Sequence, residues 1–570
     1  MKHKMRHKTK STGSQNTQSR PAAKAAAFAL TLLAVMALVA TLSVPSHAQI
    51  PSPVLLYPFQ GGTTDVAFPW GPMAQGRDGN LYGTGQARGA NGNNGGVFKV
   101  TPAGVETLVA SFPGTWVNCG FGLTLATDGN FYGTCQLGGA NNAGLIYRAT
   151  PTGVLTDIYD FLNTTTDACC PLGGLVLGAN GDLYGTTSDY STSDSSPQVA
   201  FSISTKDVYK TLYTFSDGNA YPSLLTAGAD GNFYGTEADA HGFGNVGGVF
   251  RISASGTFKL LYGFDNSVNV SGPSTGVVRD SNGKLYGTTA FPSGTGNGAL
   301  YDVTTGGKLT DIYNFPASLN FDESANNMIQ ASDGNLYGAS YNGGTSAGGG
   351  LYELTSANAF SSYSFATDSN MGNAPGAPLL QNTNGIVYGS TSSGNAAVAG
   401  YGTVFQLNIG TAPFIALVTP VYSGEEGAQI QILGQGFSSS SVVKFGGTEA
   451  TTTTLTGSTF ILATVPTGAL TGDVTVTTGS TVLSTLSSYS ITPTLKSFTP
   501  PSGPVGTEVT ITGTGLTQAT EVTFDNLSAT FTVNSDSQIT ATVPTGAATG
   551  KIKVTTKGGS ATSSTSFTVN

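Results

Sequence analysis

The stretch Asp78-Gly79-Asn80-Leu81-Tyr82-Gly83-Thr84 decides the fold, because close copies of it recur along the chain. The copies occupy residues 128–134, 180–186, 230–236, 282–288, 333–339 and 384–390. Their tyrosines are separated by 50, 52, 50, 52, 51 and 51 residues: Tyr82, Tyr132, Tyr184, Tyr234, Tyr286, Tyr337 and Tyr388. A fixed period of this length predicts an architecture built from one repeated structural unit.

Each repeat predicts four short strands. Asp-Gly or Asn-Gly between apolar runs favours a tight hairpin, because both central positions of a type I′ turn need positive φ. One strand precedes this turn and one contains the Tyr-Gly pair. A third strand carries a second aromatic, such as Phe98, and a fourth ends in phenylalanine, such as Phe112. We therefore interpret the Asp-Gly-Asn strings as turn chemistry rather than as calcium sites.

The first segment after the N-terminal leader resembles the fourth strand of a repeat. Residues 54–59 match residues 259–264, whereas the seventh repeat has no fourth strand of its own. This permutation closes a ring of repeats, because the N-terminal strand completes the last unit. A linear solenoid does not need it. We expect residues 53–59 to pair with residues 402–408, which makes residues 49–410 a seven-bladed β-propeller.

After Gly410 the sequence becomes rich in Thr, Ser and Val, and a repeat with a longer period begins. The string at residues 434–437 aligns with residues 513–516, and the string at 465–468 aligns with 543–546. Alternating stretches such as residues 508–512 bury one face and expose the other. We predict two Ig-like β-sandwich domains, at residues 411–492 and 493–570, so that the whole chain is all-β.

Two family resemblances rest on these motifs. The Asp-Gly-Asn-Leu-Tyr-Gly-Thr string, with the Gly-Gly-Val-Phe of residues 95–98 and 247–250, resembles the Gloeo/Verruco (GloVer) tandem repeat of exported bacterial proteins. That resemblance implies no particular activity. Residues 500–515 look like the IPT/TIG family of Ig-like domains, and residues 420–436 are a weaker copy in which Glu425 and Glu426 interrupt the opening. The second resemblance implies an extracellular spacer or adhesion role.

Residues 1–48 are predicted to be a signal peptide. Seven Lys or Arg precede a run without charge at residues 25–44, and Ser46 and Ala48 are small residues at the −3 and −1 positions of a cleavage site. The alternative is an uncleaved anchor, since about 20 apolar residues can span a bilayer. In both cases we expect the body of the protein to be secreted, periplasmic or at the cell surface, with membrane contact only if the segment is retained.

Charge and histidine content exclude several classes of function. Asp, Glu, Lys and Arg make up only 10% of the chain, against about 25% in an ordinary domain. Residues 49–570 contain 16 basic and 32 acidic residues, a balance that disfavours nucleic acid as a partner. His241 is the one histidine after the leader, which argues against a Ser-His-Asp triad or a multi-histidine metal site. We expect no cofactor and no bound metal.

Candidate binding residues are those that depart from the repeat. Glu237, Asp239 and His241 follow the fourth Tyr-Gly-Thr, and Asp322 and Glu323 precede the sixth unit. Carboxylates with one imidazole suit cation binding or acid-base chemistry. The alternative is that these residues lie in a solvated loop and have no role in binding. The two tryptophans, Trp70 and Trp116, precede the first strands of units one and two. They are platforms for sugar rings if exposed, and wedges between units if buried.

Cys119, Cys135, Cys169 and Cys170 form an even set in a chain predicted to be exported, which favours disulfides over metal. Three pairings are possible. We expect at least one bridge that joins units two and three, and no catalytic thiol.

The sequence favours a non-enzymatic, exported binding or adhesion protein that presents a propeller loop face to a glycan or a cell-envelope protein. One alternative is a secreted polysaccharide hydrolase or lyase that uses loop carboxylates. The other is a purely structural component of the cell envelope.

Overall fold

The computed structural model describes residues 50–89, 94–171, 173–188, 196–215, 221–237, 247–264, 271–273, 275–280, 282–291, 298–315, 319, 328–344, 347–365, 371–394, 400–419 and 422–570. Residues 50–570 form one compact unit, and the predicted signal segment lies outside the described residues. The regular structure of the described part consists of strands, so the all-β prediction is confirmed. In that part of the chain no helix has the length and apolar character needed to cross a membrane.

The strands of the repeat region are short. The first twelve are β1 (Val54–Pro58), β2 (Val66–Pro69), β3 (Ala74–Gln75), β4 (Leu81–Arg88), β5 (Gly96–Val100), β6 (Glu106–Ser111), β7 (Trp116–Val117), β8 (Thr124–Leu125), β9 (Phe131–Cys135), β10 (Leu137–Gly138), β11 (Leu145–Ala149) and β12 (Leu155–Asp160). The next eight are β13 (Val176–Leu177), β14 (Leu183–Thr186), β15 (Val199–Ile203), β16 (Tyr209–Thr214), β17 (Thr226–Ala227), β18 (Asn232–Glu237), β19 (Gly248–Ser253) and β20 (Phe258–Gly263). The last twelve are β21 (Ser271–Pro273), β22 (Val278–Arg279), β23 (Leu285–Phe291), β24 (Ala299–Val303), β25 (Leu309–Asn314), β26 (Ile329–Gln330), β27 (Leu336–Ser340), β28 (Gly350–Leu354), β29 (Phe360–Ser364), β30 (Leu380–Gln381), β31 (Val387–Thr391) and β32 (Thr403–Leu407).

These strands form one antiparallel sheet per sequence repeat, which we call sheet units 1 to 7. In chain order the units are β2-β4-β5-β6 with β3 beside β4, β8-β9-β11-β12, β13-β14-β15-β16, β17-β18-β19-β20, β21-β23-β24-β25 with β22 beside β23, β26-β27-β28-β29, and β30-β31-β32-β1. The short strands β7 and β10 pair separately. Strand β1 joins unit 7 with Val54 opposite Gln406 and Leu55 opposite Phe405, the pairing that the permuted repeat predicts.

Neighbouring sheet units touch through their first strands. Strand β3 contacts β8, β8 contacts β13, β13 contacts β17, β17 contacts β22, and β22 contacts β26. The Ser332 backbone N–H donates to Gln381 Oε1 at 2.8 Å between units 6 and 7. Gln75 Nε2 donates to Thr383 Oγ1 at 2.8 Å between units 1 and 7. The contacts therefore run from each unit to the next and back to the first, as in the propeller arrangement.

The repeated residues have structural roles. The Tyr82 hydroxyl donates to Asp78 Oδ2 at 2.9 Å, and the Tyr132 hydroxyl reaches Asp128 in the same way, so each tyrosine fixes the turn before it. The Thr134 hydroxyl donates to the Gly173 carbonyl oxygen at 2.8 Å, which ties unit 2 to the connection that enters unit 3. The Asp-Gly-Asn strings thus form turns in these units. Gly79 and Gly129 have positive φ but Asp78 and Asp128 do not, so the type I′ geometry that the sequence predicts is wrong.

Two smaller β-modules follow. The first contains β33 (Ala416–Leu417), β34 (Ser423–Gly424), β35 (Gln429–Leu433), β36 (Val442–Phe445), β37 (Thr448–Glu449), β38 (Thr453–Thr456), β39 (Phe460–Thr464), β40 (Val474–Thr478), β41 (Thr481–Ser484) and β42 (Ser490–Ile491). The second contains β43 (Thr494–Thr499), β44 (Ser502–Gly503), β45 (Glu508–Thr514), β46 (Ala519–Phe524), β47 (Leu527–Ser528), β48 (Phe531–Ser535), β49 (Gln538–Thr542), β50 (Gly550–Thr556) and β51 (Gly559–Val569). Each module has its own apolar core, around Phe445 and Val474 in the first and around Ile539 and Phe567 in the second.

The antiparallel order gives the repeat region two distinct faces. The turns that join first to second strands and third to fourth strands end on one face, the turn face. The loops between second and third strands, and the connections between units, end on the other, the loop face. The first Ig-like module packs on the turn face: Thr459 Oγ1 donates to the Arg77 carbonyl oxygen at 2.6 Å, and Gln435 Nε2 donates to Thr383 Oγ1 at 2.9 Å. This contact leaves the loop face uncovered by the first module.

Candidate functional site

Trp70 lies on the loop face, between β2 and β3 of sheet unit 1. Its ring meets that of Tyr341, from the loop between β27 and β28 of unit 6, with centroids 4.9 Å apart and planes inclined by 54°. Gly376, from unit 7, lies beneath both rings: an added Cβ there would be 3.4 Å from Trp70 Cε3 and 3.4 Å from Tyr341 Cδ2. Both rings remain partly exposed. Three units therefore converge to present one aromatic pair.

A second aromatic pair lies next to the first along the chain. Phe68 and Tyr401 have centroids 6.1 Å apart, and the Arg88 guanidinium carbon lies 5.1 Å from the centroid of Tyr401. Phe68 has a φ of 56° and is skipped by the pairing of β2 with β4, which passes from Ala67 opposite Ala87 to Pro69 opposite Gly85. The register on either side of Phe68 is the same, so the positive φ is a local feature of this residue. Non-glycine residues in the left-handed region cluster at functional sites.

We call Phe68, Trp70, Arg88, Tyr341 and Tyr401 the seam patch, because they surround the junction of sheet units 7 and 1. The sequence identified Trp70 only. Tyr341 and Tyr401 carried a usable signal, since both are aromatic residues outside the repeated strands, but nothing in the sequence placed them beside Trp70.

Trp116 has a different environment from Trp70. Its side chain is 6% exposed, and its ring packs against Tyr147 at 5.3 Å and Phe112 at 6.0 Å between centroids. It lies in β7, where it pairs with Gly138 of β10. The indole is thus a wedge in the core rather than a platform, and we exclude Trp116 from the candidate site.

The predicted acidic candidates are only partly described. Glu237 is the last residue of β18, pairs with Gly248 of β19 and is fully buried, so its carboxylate does not lie on the loop surface as the sequence suggested. The strand continues one residue beyond Thr236, which draws Glu237 into the sheet. Asp239, His241, Asp322 and Glu323 lie outside the described residues. Within the described part of the chain, no group of three or more His, Cys, Asp or Glu side chains is placed to hold a metal ion.

The cysteines form two disulfides, Cys119–Cys135 and Cys169–Cys170. The expected bridge between units two and three is wrong: Cys119 lies in the connection that enters unit 2, and Cys135 ends the β9 strand of that same unit. Backbone contacts join the units instead, since the Cys170 N–H donates to the Ala143 carbonyl oxygen at 2.9 Å. Two disulfides are typical of a protein that folds outside the reducing cytoplasm.

Comparison with protein families identifies both parts of the chain. The Gloeobacter/Verrucomicrobia repeat matches residues 49–196 and 164–328, and the IPT/TIG domain matches residues 413–492 and 493–569. Residues 49–328 therefore belong to the Gloeobacter/Verrucomicrobia repeat family and residues 413–569 form two IPT/TIG domains, as the resemblance predicts. No curated protein matches its sequence.

Three similar solved structures have low sequence identity to this chain and low TM-scores. SGBP-B from a xyloglucan utilization locus of Bacteroides uniformis is 22% identical over 27% of this chain and 48% of its own, with a TM-score of 0.15. The surface glycan-binding protein PbSGBP-B of Prevotella bryantii is 20% identical over 28% of this chain and 39% of its own, with a TM-score of 0.21. Puromycin hydrolase is 11% identical over 66% of this chain and 59% of its own, with a TM-score of 0.39. The chain thus spans about half the length of the Bacteroides protein. Similarity at this level does not assign a function.

Proposed function

We propose that the protein is an exported, non-enzymatic binding protein whose loop face binds glycan or cell-envelope ligands through the seam patch. The observation that carries the proposal is the Trp70–Tyr341 pair, in which two partly exposed rings from distant repeats meet at 4.9 Å. Aromatic faces combine apolar area with a polar handle, which suits the mixed apolar and hydroxyl faces of a sugar ring.

The position of the first IPT/TIG domain supports the same proposal. That domain occupies the turn face, where Thr459 and Gln435 contact the repeat region. In the described residues its contacts lie on the turn face rather than on the loop face, and we infer that the two domains together act as a spacer. Rigid scaffolds commonly carry their binding residues on loops of this kind.

A glycan array probed with the mature chain, residues 49–570, tests this function. We expect binding to at least one glycan class, and Trp70→Ala to weaken it by about tenfold, the loss of roughly 1.4 kcal/mol of binding free energy. Trp70→Phe is the matched variant, because it keeps an aromatic ring at this position, and we expect it to retain most of the affinity. Equal binding by wild type and Trp70→Ala would exclude the seam patch, and an absence of glycan binding would favour the purely structural role.

A further inference from the structure

A cleft separates the first IPT/TIG domain from sheet units 4 to 6 on the turn face. Its volume is about 330 Å³, at the lower end of the range for small-molecule sites. The sheet units contribute one wall, and the IPT/TIG domain contributes the other. Ala229, Arg279 and Asp280 lie on the first wall, and Ser423, Ser487 and Ser490 lie on the second.

The cleft exists because the first IPT/TIG domain contacts the repeat region along one side only. In unit 1, Arg77 precedes the turn aspartate and bridges directly to Gln431 of the IPT/TIG domain at 2.7 Å. The same position in unit 4 holds Ala229, which is too short to reach across. The domain is therefore attached over units 1, 2 and 7 and is separated from units 4 to 6 by the cleft.

Arg279 is the lining residue that indicates a ligand for this cleft. It occupies the place that Gln75 and Gln381 take in units 1 and 7, where the amides are engaged, with Gln75 bonded to Thr383 and Gln381 to Ser332. The Nε of Arg279 is buried and has no hydrogen-bond partner among the described residues. Arg279 also lines the cleft, so its guanidinium provides a donor group that a ligand in the cleft can contact.

The other lining groups indicate the chemistry of that partner. Ser423, Ser487 and Ser490 supply hydroxyls, which both donate and accept. Arg279 and Asp280 are the charged residues of the lining and have opposite signs. Asp280 also holds its own turn, accepting the backbone N–H of Asn282 at 2.9 Å and of Lys284 at 2.8 Å. This balance favours a neutral ligand with several hydroxyl groups over an anion.

We propose that this cleft is a binding site for one unit of a neutral saccharide, held between the guanidinium of Arg279 and the serine hydroxyls of the first IPT/TIG domain. The site is independent of the seam patch, because it lies on the opposite face of the repeat region. Ligand in this cleft contacts both walls, so binding also strengthens the attachment of the IPT/TIG domain to units 4 to 6.

Saturation-transfer NMR on the mature chain tests the proposal with glucose, galactose, mannose, xylose and N-acetylglucosamine, and with glucuronate as the anionic comparator. We expect saturation transfer to at least one neutral sugar. The dependence of this signal on the sugar concentration then gives the affinity. Arg279→Gln should weaken that affinity at least tenfold, and Ser490→Ala, on the opposite wall, should weaken it several-fold. Ser490→Ala keeps the test decisive if Arg279→Gln fails to fold.

Two matched variants show whether the bound sugar occupies this cleft. Arg251→Gln changes another arginine whose Nε is buried and has no hydrogen-bond partner among the described residues. Arg251 does not line the cleft, so we expect unchanged affinity. Arg148→Gln, which changes a partly exposed arginine paired with Asp207 and outside the cleft lining, should also leave the affinity unchanged. The proposal is overturned if no neutral sugar binds, if glucuronate binds more tightly than every neutral sugar, or if Arg279→Gln and Ser490→Ala bind like the wild type.

Discussion

Arg77 donates from Nη2 to Oε1 of Gln431 at 2.7 Å, although 354 residues separate them in the chain. The same nitrogen donates to the Thr127 carbonyl oxygen at 2.7 Å, and the guanidinium carbon lies 4.5 Å from the ring centroid of Phe460. Burial lowers the pKa of Arg77, and the charge of Asp128 opposes this shift. One side chain therefore joins sheet units 1 and 2 to the first IPT/TIG domain.

The contact predicts that Arg77→Met loosens the attachment of that domain. Hydrogen bonds from a charged donor contribute about 1.5–3 kcal/mol each, and the variant removes the donor to Oε1 of Gln431. The Thr127 carbonyl oxygen keeps the Nε2 of Gln431 as a donor at 2.6 Å. We expect a lower melting temperature and faster proteolysis near residues 408–414. Arg148→Met is the control, because Arg148 pairs with Asp207 at a partly exposed site, at 3.1 Å, where ion pairs contribute about 0–1 kcal/mol. Equal effects of the two variants would contradict the proposed role of Arg77.

A second prediction concerns the seam between units 7 and 1, where Glu106 breaks a pattern. Its position, opposite Val100, is apolar or aromatic in the next five units: Leu155, Tyr209, Phe258, Leu309 and Phe360. In unit 3, Tyr209 stacks on Tyr159 of unit 2 at 3.9 Å. Glu106 instead faces Tyr57, whose hydroxyl donates to Asp65 at 3.2 Å. Burial, followed by the charge of Asp65, raises the pKa of Glu106 to about 8.

The raised pKa fixes the sign of the pH dependence. A carboxyl whose pKa is higher in the folded state stabilises the fold when protonated, so this contribution is present below the unfolded value of 4.5 and is lost as pH rises through about 8. Glu106→Gln should make the melting temperature less dependent on pH between pH 5 and pH 9. It should also raise the melting temperature above the wild-type value at pH 9. Thermal unfolding across this range measures the effect, with the exposed Glu508→Gln as control. A wild-type profile unchanged by Glu106→Gln would refute the assignment.

The disulfides predict unequal losses of stability. Cys119–Cys135 closes a loop with a sequence separation of 16, and removing a crosslink of that length costs about 3 kcal/mol of unfolding free energy through the entropy of the unfolded chain. Cys169–Cys170 joins adjacent residues and constrains almost no chain. Urea unfolding should therefore show a larger decrease for Cys119→Ala with Cys135→Ala than for Cys169→Ala with Cys170→Ala. The reverse order would show that chain entropy is not the deciding factor.

The sequence predicted the repeat region well because each of its signals is local. The Asp-Gly turn, the tyrosine four residues after the turn aspartate and the alternating third strand all act within one unit, as the Tyr82–Asp78 hydrogen bond shows. The pairing of β1 with β32 is long-range, yet it was predictable, since residues 54–59 copy a fourth strand whose partner is known from the other repeats.

The candidate site was harder to predict because it depends on contacts between units. Trp70 and Trp116 look equivalent in the sequence, as both precede a first strand. Trp116 is buried because β7 pairs with β10, whereas Trp70 meets Tyr341, a residue 271 positions further along the chain. The cysteine pairing was open for the same reason, since spacing alone allows three pairings. Arg77 lies in a repeated turn, and nothing local distinguishes it as the link to Gln431.

The junction of the two IPT/TIG domains provides a last prediction, centred on Glu426. Its Oε1 accepts the Gly468 N–H at 2.6 Å, and its carboxyl is hydrogen-bonded to Asp536 of the second domain. Burial, followed by the hydrogen bond with Asp536, raises the pKa of Glu426 to about 7. Two carboxyls that share a site are held together by one proton and repel each other without it.

Protonation of Glu426 should therefore hold the two domains together. The contribution is complete below the unfolded pKa of 4.5 and is lost as pH rises through about 7, so the junction should loosen between pH 5 and pH 8. Small-angle scattering of the mature chain measures this change as a broader distribution of distances at the higher pH. Glu426→Gln supplies the hydrogen-bond donor at every pH and should keep the low-pH profile at pH 8, whereas Glu425→Gln, at the neighbouring residue, should behave like the wild type. A scattering profile of the wild type that does not change with pH would rule out the shared proton, because deprotonation would then leave the junction unaltered.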